Sequence, residues 1–332
     1  MRMIAVLCAL GTSIAVADVD ETKMASPQSE PTQWEVAMMT AIHRERAGDY
    51  SAAEPFYRQA VHFAEKLPYG DPHLAAALSA LAANYDNLGR YADAERTYRR
   101  AMRMVADTQG RHSQDYATLE TNLAASFTHR GDSLKGEALL TDAIATLESF
   151  EPRDEERLAL ARDGLGAVQL ARHKYDEAGM LFEQVLAAFR KSSQSWQCRA
   201  AIAMNNLAVV RGFQGRQPEG VDLLKQALAE SEASLGKDHP IILRTLNNLA
   251  VGLAALGQFE EAEAVSQRAI TLAEKTLGRQ HPVYGEVLAN YAAVLRKGGH
   301  KAAAKTYENQ ARGILRDSRR STAMTVDVTS FR

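Results

Sequence analysis

A row of asparagines carries the side chains best suited to chemistry in this 332-residue chain. The row consists of four residues that each stand nine positions before a recurring glycine: Asn122, Asn206, Asn248 and Asn290. Two of them, Asn206 and Asn248, directly follow a second asparagine, Asn205 and Asn247. Arg244 lies three residues before Asn247. Because each amide donates and accepts hydrogen bonds, the row could bind the backbone or carboxylate of an extended peptide. The amides could instead bond the backbone of a neighbouring repeat, and the two roles can coexist.

Other candidate motifs give no catalytic, cofactor or metal site. Gly299 to Thr306 nearly matches the phosphate-loop pattern, but Ala304 replaces the second glycine and no strand precedes it. Nine histidines occur without His-Glu-x-x-His or paired-cysteine spacing. His239 and His281 recur 42 residues apart in matched loops, which favours a structural role. No general base can be assigned to Cys198 from the sequence. Because none of these motifs predicts a catalytic site, we expect that the chain is not an enzyme.

Charge and composition narrow the class of partner. Lys and Arg number 39 against 41 Asp and Glu, a net charge of −2 that argues against general nucleic-acid binding. The chain contains 57 alanines, and aromatic residues make up only 7%. This composition favours close contacts between helices over an aromatic, β-branched sheet core.

The first residues are predicted to direct export. Residues 1–17 combine one arginine, a short apolar run and small residues before an acidic stretch, which is the pattern of a signal peptide. Residues 18–32 are polar and contain two prolines, as expected of a linker. No other apolar run is long enough to span a bilayer. We therefore expect a periplasmic or secreted protein without stable membrane insertion.

A repeat of 42 residues organises the rest of the chain. The hinge residues are Gly48, Gly89, Gly131, His173, Gly215, Gly257 and Gly299, spaced by 41 residues once and by 42 five times. Alanine or glycine recurs seven residues before, five after and twelve after nearly every hinge. Small residues on both sides of a turn predict a hairpin of closely packed helices, closed by glycine in a left-handed conformation. His173 is the exception, and we expect its turn to be strained or differently capped.

This order of small and large residues resembles the tetratricopeptide repeat, whose usual length is about 34 residues. The segments Leu235 to Pro240, Leu246 to Ala250 and Leu277 to Pro282 are similar to the longer kinesin light chain type. The resemblance covers residues 33–316 and implies an all-α, right-handed solenoid of about seven helical hairpins. It also implies that the asparagine row lines a concave groove formed by the first helices.

The joints and ends of the array depart from this pattern. Residues 150–154 and 192–196 lack the Gly-x-x-His-Pro form of the later loops, which predicts a middle that bends more. Gly278 is expected to end a second helix, and Pro282 to begin the next. Glu308 takes a place held by aromatic residues earlier, which predicts a more polar outer surface for the last helix. Residues 317–332 are predicted to be a flexible tail or a short docking strand.

Together these features predict an exported, non-enzymatic scaffold that binds a protein or extended peptide. The alternative is a recognition or assembly subunit of an envelope hydrolase or secretion machine whose chemistry lies on another chain. The sequence leaves the oligomeric state open.

Overall fold

The computed structural model describes residues 32–46, 49–191, 197–239 and 242–327, which are all-helical and contain no strand. They form two compact units, divided between Arg172 and His173. The N-terminal unit contains α1 (Gln33–Arg46), α2 (Tyr50–Ala64), α3 (Pro72–Asn87), α4 (Tyr91–Gln109), α5 (Gln114–His129), α6 (Ser133–Glu148) and α7 (Glu155–Ala171). The C-terminal unit contains α8 (Tyr175–Lys191), α9 (Gln197–Phe213), α10 (Gln217–Leu235), α11 (Ile242–Ala255), α12 (Phe259–Leu277), α13 (Pro282–Lys297) and α14 (Lys301–Asp327). The predicted all-α class is confirmed, whereas the proposed signal peptide and nearly all of the linker lie outside the described residues.

Consecutive helices pack as the predicted hairpins within each unit. We call the first helix of each hairpin the A helix and the second the B helix. Helices α1 and α2, α3 and α4, and α5 and α6 pair in the N-terminal unit, and α9 and α10, α11 and α12, and α13 and α14 in the C-terminal unit. Helices α7 and α8, the A and B helices around His173, belong to different units.

The hinges have the backbone conformation that the repeat predicts. The five described hinge glycines have φ between 71° and 91°. His173 has φ of 62°, the only positive value among the described residues other than glycine. Its Nδ1 lies 2.9 Å from the hydroxyl of Tyr175. The expected strain at this hinge is confirmed, because a side chain disfavours the left-handed region.

Small residues face each other across the hairpins. At Gly220, five residues after a hinge, an added Cβ would lie 2.8 Å from the carbonyl oxygen of Ala208. Ala208 is the small residue seven positions before the same hinge. At the corresponding positions of another hairpin, Ala250 and Ala262 are fully or almost fully buried. The small residues thus keep the A and B helices close enough to exclude water.

The loops between hairpins also follow the prediction. Helix α12 ends at Gly278, which has φ of 82°, and α13 begins at Pro282. His281 caps α13, since its Nδ1 accepts a hydrogen bond from the Val283 N–H at 3.2 Å. Its predicted structural role is confirmed. The last helix, α14, continues through Asp327, beyond the predicted end of the array at residue 316, and the first part of the proposed docking strand is therefore helical.

Ion pairs join adjacent repeats within each unit. The residue six positions after the hinge is glutamate in four repeats, and each lies beside a basic residue next to the following hinge. The pairs are Glu54 with Arg90 at 3.0 Å, Glu95 with Arg130 at 3.2 Å, Glu137 with Arg172, and Glu263 with His300 at 3.4 Å. Exposed pairs of this kind typically contribute less than about 1 kcal/mol each. Apolar burial therefore supplies most of the packing between repeats.

Candidate functional site

The predicted site residues lie on A helices, but most are buried. Asn122 belongs to α5 in the N-terminal unit; the others belong to α9, α11 and α13 in the C-terminal unit. Five asparagines are only 1–5% exposed: Asn122, Asn205, Asn247, Asn248 and Asn290. Asn206 and Arg244 are half-buried. These two are therefore the members of the row best placed to contact a ligand.

Two of the buried amides connect adjacent repeats. Asn122 Nδ2 donates to Ser79 Oγ at 3.0 Å, and Asn248 Nδ2 donates to Asn205 Oδ1 at 3.2 Å. Both bonds join residues 43 positions apart, so each links the position nine residues before one hinge to the position ten residues before the preceding hinge. The inter-repeat bonding foreseen as the alternative is thus observed, although the acceptor is a side chain rather than the backbone. Burial strengthens such bonds because the amides have no competing water.

One face of each A helix in the C-terminal unit carries the accessible residues. They stand 13, 9, 6 and 2 positions before the hinge, a spacing that places them on one side of a helix. The residues are Ile202, Asn206, Val209 and Phe213 on α9; Arg244, Asn248, Val251 and Ala255 on α11; and Glu286, Asn290, Ala293 and Lys297 on α13. Apart from Asn248 and Asn290, all are half-buried or exposed. We call these twelve residues the A-helix face.

The A-helix face combines apolar and polar side chains on neighbouring helices. Helix α11 contacts both α9 and α13. Ile202, Val209 and Val251 are half-buried apolar residues of this face, and Asn206 and Arg244 are its half-buried polar residues on the same two helices. Such a surface can cover the side chains of a ligand and also hydrogen-bond its main chain.

The A-helix face contains three ionisable residues, Arg244, Glu286 and Lys297. Arg244 and Glu286 occupy the same position in adjacent repeats, 13 residues before the hinge. Burial raises the pKa of Glu286, and its Oε2 has no hydrogen-bond partner among the described residues. Desolvation therefore opposes the negative charge of Glu286. The Arg244 guanidinium stays charged at any physiological pH.

A second polar cluster, in the N-terminal unit, was not predicted from the sequence. Glu45 accepts hydrogen bonds from the Tyr57 hydroxyl and from Asn87 Nδ2, the latter at 3.2 Å. Asp86 occupies the equivalent place in the next repeat and accepts a 2.6 Å bond from Ser126 Oγ. Burial raises the pKa of Asp86 to about 7. The signal was present in the sequence, since both carboxylates stand three residues before a hinge.

Within the described ranges, no group of three His, Cys, Asp or Glu side chains is placed to hold a metal ion. None of the described helices is long and apolar enough to cross a bilayer.

Comparison with known families agrees with the geometry of the hairpins. The chain matches the tetratricopeptide repeat family over residues 36–107, 199–272 and 241–317, which is more than half of its length. The chain belongs to the tetratricopeptide repeat family. No curated protein shows significant sequence similarity to this tetratricopeptide repeat protein.

Solved structures share the tetratricopeptide fold at low identity. BtubC (BKLC) from P. vanneervenii superposes with a TM-score of 0.56 and 20% identity, covering 70% of this chain and 92% of that chain. A putative kinesin light chain from Podosopora anserina with nearly identical TPR-like repeats gives 0.51 and 22%, covering 64% and 99%. The Rap protein complexed with competence and sporulation factor gives 0.59 and 12%, covering 90% of each chain. The predicted tetratricopeptide repeat family is confirmed by the family match, and the putative kinesin light chain shares the fold.

Proposed function

We propose that this tetratricopeptide repeat protein is an exported, non-enzymatic scaffold that binds a protein or extended peptide on its A-helix face. The observation that carries the proposal is the placement of Asn206 and Arg244, which are half-buried on adjacent A helices. The Rap protein of similar fold, seen with competence and sporulation factor, supports a role in binding.

An extended peptide fits the chemistry of this face. Its backbone N–H and C=O groups need hydrogen-bond partners when they leave water, and the Asn206 amide can donate to one and accept from the other. The Arg244 guanidinium can form a two-pronged bond with a carboxylate of the ligand. Ile202 and Val251 can cover an apolar side chain beside it. In this arrangement Asn248, although it belongs to the A-helix face, is buried and, like Asn205, positions the helices without touching the ligand.

Site variants test the binding surface. The tagged full chain is purified from its own cells and the bound proteins are quantified by mass spectrometry. Arg244→Ala and Asn206→Ala are expected to lose the bound partner while the melting temperature stays near that of the parent. Arg96→Ala, an exposed arginine on the B helix α4, is the matched control and should retain the partner. Equal recovery of the partner by all three variants would disprove the proposed surface.

Export is tested separately. We propose cleavage after Ala17, so N-terminal sequencing of the cellular protein should begin at Asp18. An intact Met1 would refute export while leaving the binding surface unaffected. The identity of a partner that depends on Arg244 distinguishes a general scaffold from a subunit of an envelope hydrolase or secretion machine.

A further inference from the structure

The last repeat reverses the charge at the position that joins repeats elsewhere. Lys305 stands six residues after the hinge Gly299, where four earlier repeats have glutamate. In those repeats the glutamate lies beside a basic residue of the next repeat. A lysine at this place would repel such a neighbour and attract a carboxylate.

Lys305 belongs to a basic concavity between α13 and α14. The concavity has a volume of about 430 Å³ and is lined by Arg296, Lys301, Lys305, Glu308, Asn309 and Arg312. We call these six residues the basic end face. Four are cationic and one is a carboxylate. Lys301 also departs from the earlier repeats, since four of them have tyrosine or phenylalanine at its position.

Most of the positive charge on this face is not neutralised by other residues that the structure describes. The Glu308 carboxylate pairs with the Arg296 guanidinium. Lys301, Lys305 and Arg312 are exposed and form no ion pair with another described residue. All six lining residues are charged or polar, which favours an anionic ligand over a hydrophobic helix.

The spacing of the cations suits an extended chain. Lys301, Lys305, Glu308 and Arg312 are separated by four, three and four residues, so they lie on one face of α14. At about 1.5 Å per residue, Lys301 and Lys305 are separated by roughly 6 Å along the helix, and the row is about 16 Å long. Alternate side chains of an extended peptide recur about every 6.6 Å. Carboxylates at every second residue of the peptide would therefore match the spacing of the two lysines.

We propose that the basic end face binds an extended acidic peptide segment of a partner protein, with carboxylates at alternate positions. The two lysines pair with two of these carboxylates, and Arg312 adds positive charge to the face. Asn309 hydrogen-bonds the peptide backbone. Because the basic end face and the A-helix face share no residue, this inference can be tested independently of the proposed function.

A synthetic peptide tests the proposal directly. The probe is a blocked peptide in which four aspartates alternate with serines, and the control peptide has asparagine in place of each aspartate. The full chain should bind the acidic probe with a dissociation constant on the order of 0.1 mM at low salt. Binding should weaken strongly as salt shortens the screening length from about 10 Å at 0.1 M to about 3 Å at 1 M.

Charge variants locate the site. Lys305→Glu restores the residue typical of earlier repeats and should weaken probe binding about tenfold. The double change of Lys301 and Lys305 to glutamine should weaken it similarly without adding repulsion. Lys237→Glu, an exposed lysine in the same unit, makes the same charge change elsewhere and should have no effect. Circular dichroism melts of all variants should match the parent, because every altered residue is exposed.

Several results would overturn the inference. They are no saturable binding up to about 2 mM probe, equal binding of the asparagine peptide, or equal losses in Lys237→Glu and Lys305→Glu. Tripolyphosphate that binds through Lys305 when the acidic peptide does not would show a small-anion site instead, and would also overturn it.

Discussion

Replacing Asp86 with asparagine should make the protein more stable at alkaline pH and leave it unchanged in acid. Asp86 lies near the end of α3, where its Oδ1 accepts a 2.6 Å hydrogen bond from Ser126 Oγ. Burial raises the pKa of this carboxyl from 3.8 to about 7. Asparagine keeps an acceptor for Ser126 but removes the charge that burial disfavours.

The sign follows from proton binding. Between pH values of about 4 and 7, the folded protein holds a proton on Asp86 that the unfolded chain has released. The free energy of unfolding therefore falls as pH rises through this window, and the full loss is present above about pH 7. At about 1.36 kcal/mol per unit of pKa, the upper limit is about 4 kcal/mol. Asp86 is only half-buried, so screening by solvent reduces the expected loss to about 1–2 kcal/mol.

Denaturant unfolding between pH 4 and 8.5 measures this effect. Asp86→Asn should be about 1–2 kcal/mol more stable than the parent at pH 8 and equal to it near pH 4. Asp222→Asn, at an exposed aspartate, is the matched control and should show no such divergence. An Asp86→Asn curve that runs parallel to the parent at every pH would refute the reasoning, because the difference would then come from packing and not from the charge.

Three further substitutions test the hairpins and their contacts. His173→Gly should stabilise by up to about 1 kcal/mol in denaturant unfolding, since glycine relieves the left-handed strain; a loss would show that the side-chain contact matters more. Gly220→Ala should lower the melting temperature and destabilise by about 2 kcal/mol, because the new methyl meets the Ala208 carbonyl; an unchanged melt would contradict the close approach. Asn248→Ala should cost about 1–3 kcal/mol by leaving buried Asn205 without its donor; calorimetry showing no loss would refute the inter-repeat bond.

The hairpin architecture was predictable because the backbone itself constrains the residues that repeat. A helix that ends in the left-handed conformation strongly favours glycine at that position. The hinges can therefore be recognised in the sequence without knowing which residues they contact. The strain at His173 followed from the same rule. The loop from Gly278 to Pro282 was predictable too, since both residues have strict conformational preferences. These signals depend on one residue and its own backbone.

The site was less predictable because it depends on neighbours one repeat away. The type and spacing of Asn248 do not reveal that its amide reaches Asn205 rather than solvent. The glutamates six residues after four of the hinges likewise recur in the sequence, but only the structure shows that they pair with basic residues of the next repeat. Burial decides whether an asparagine side chain joins neighbouring repeats or is accessible to a ligand. It depends on how the repeats pack against each other.

This difference suggests how the period of the repeat should be interpreted. Residues that keep one offset from the hinge through many repeats face equivalent neighbours, and Asn122 and Asn248 accordingly form equivalent bonds. Residues that break the pattern at accessible positions are free of that constraint. In the adjacent repeats the position of Arg244 is held by Ile202 and Glu286, and Lys305 reverses the charge found at its position in four other repeats. We therefore expect Arg244 and Lys305, which depart from the period, to contribute to ligand specificity, and the buried asparagines that keep the period, Asn122 and Asn248, to contribute to stability.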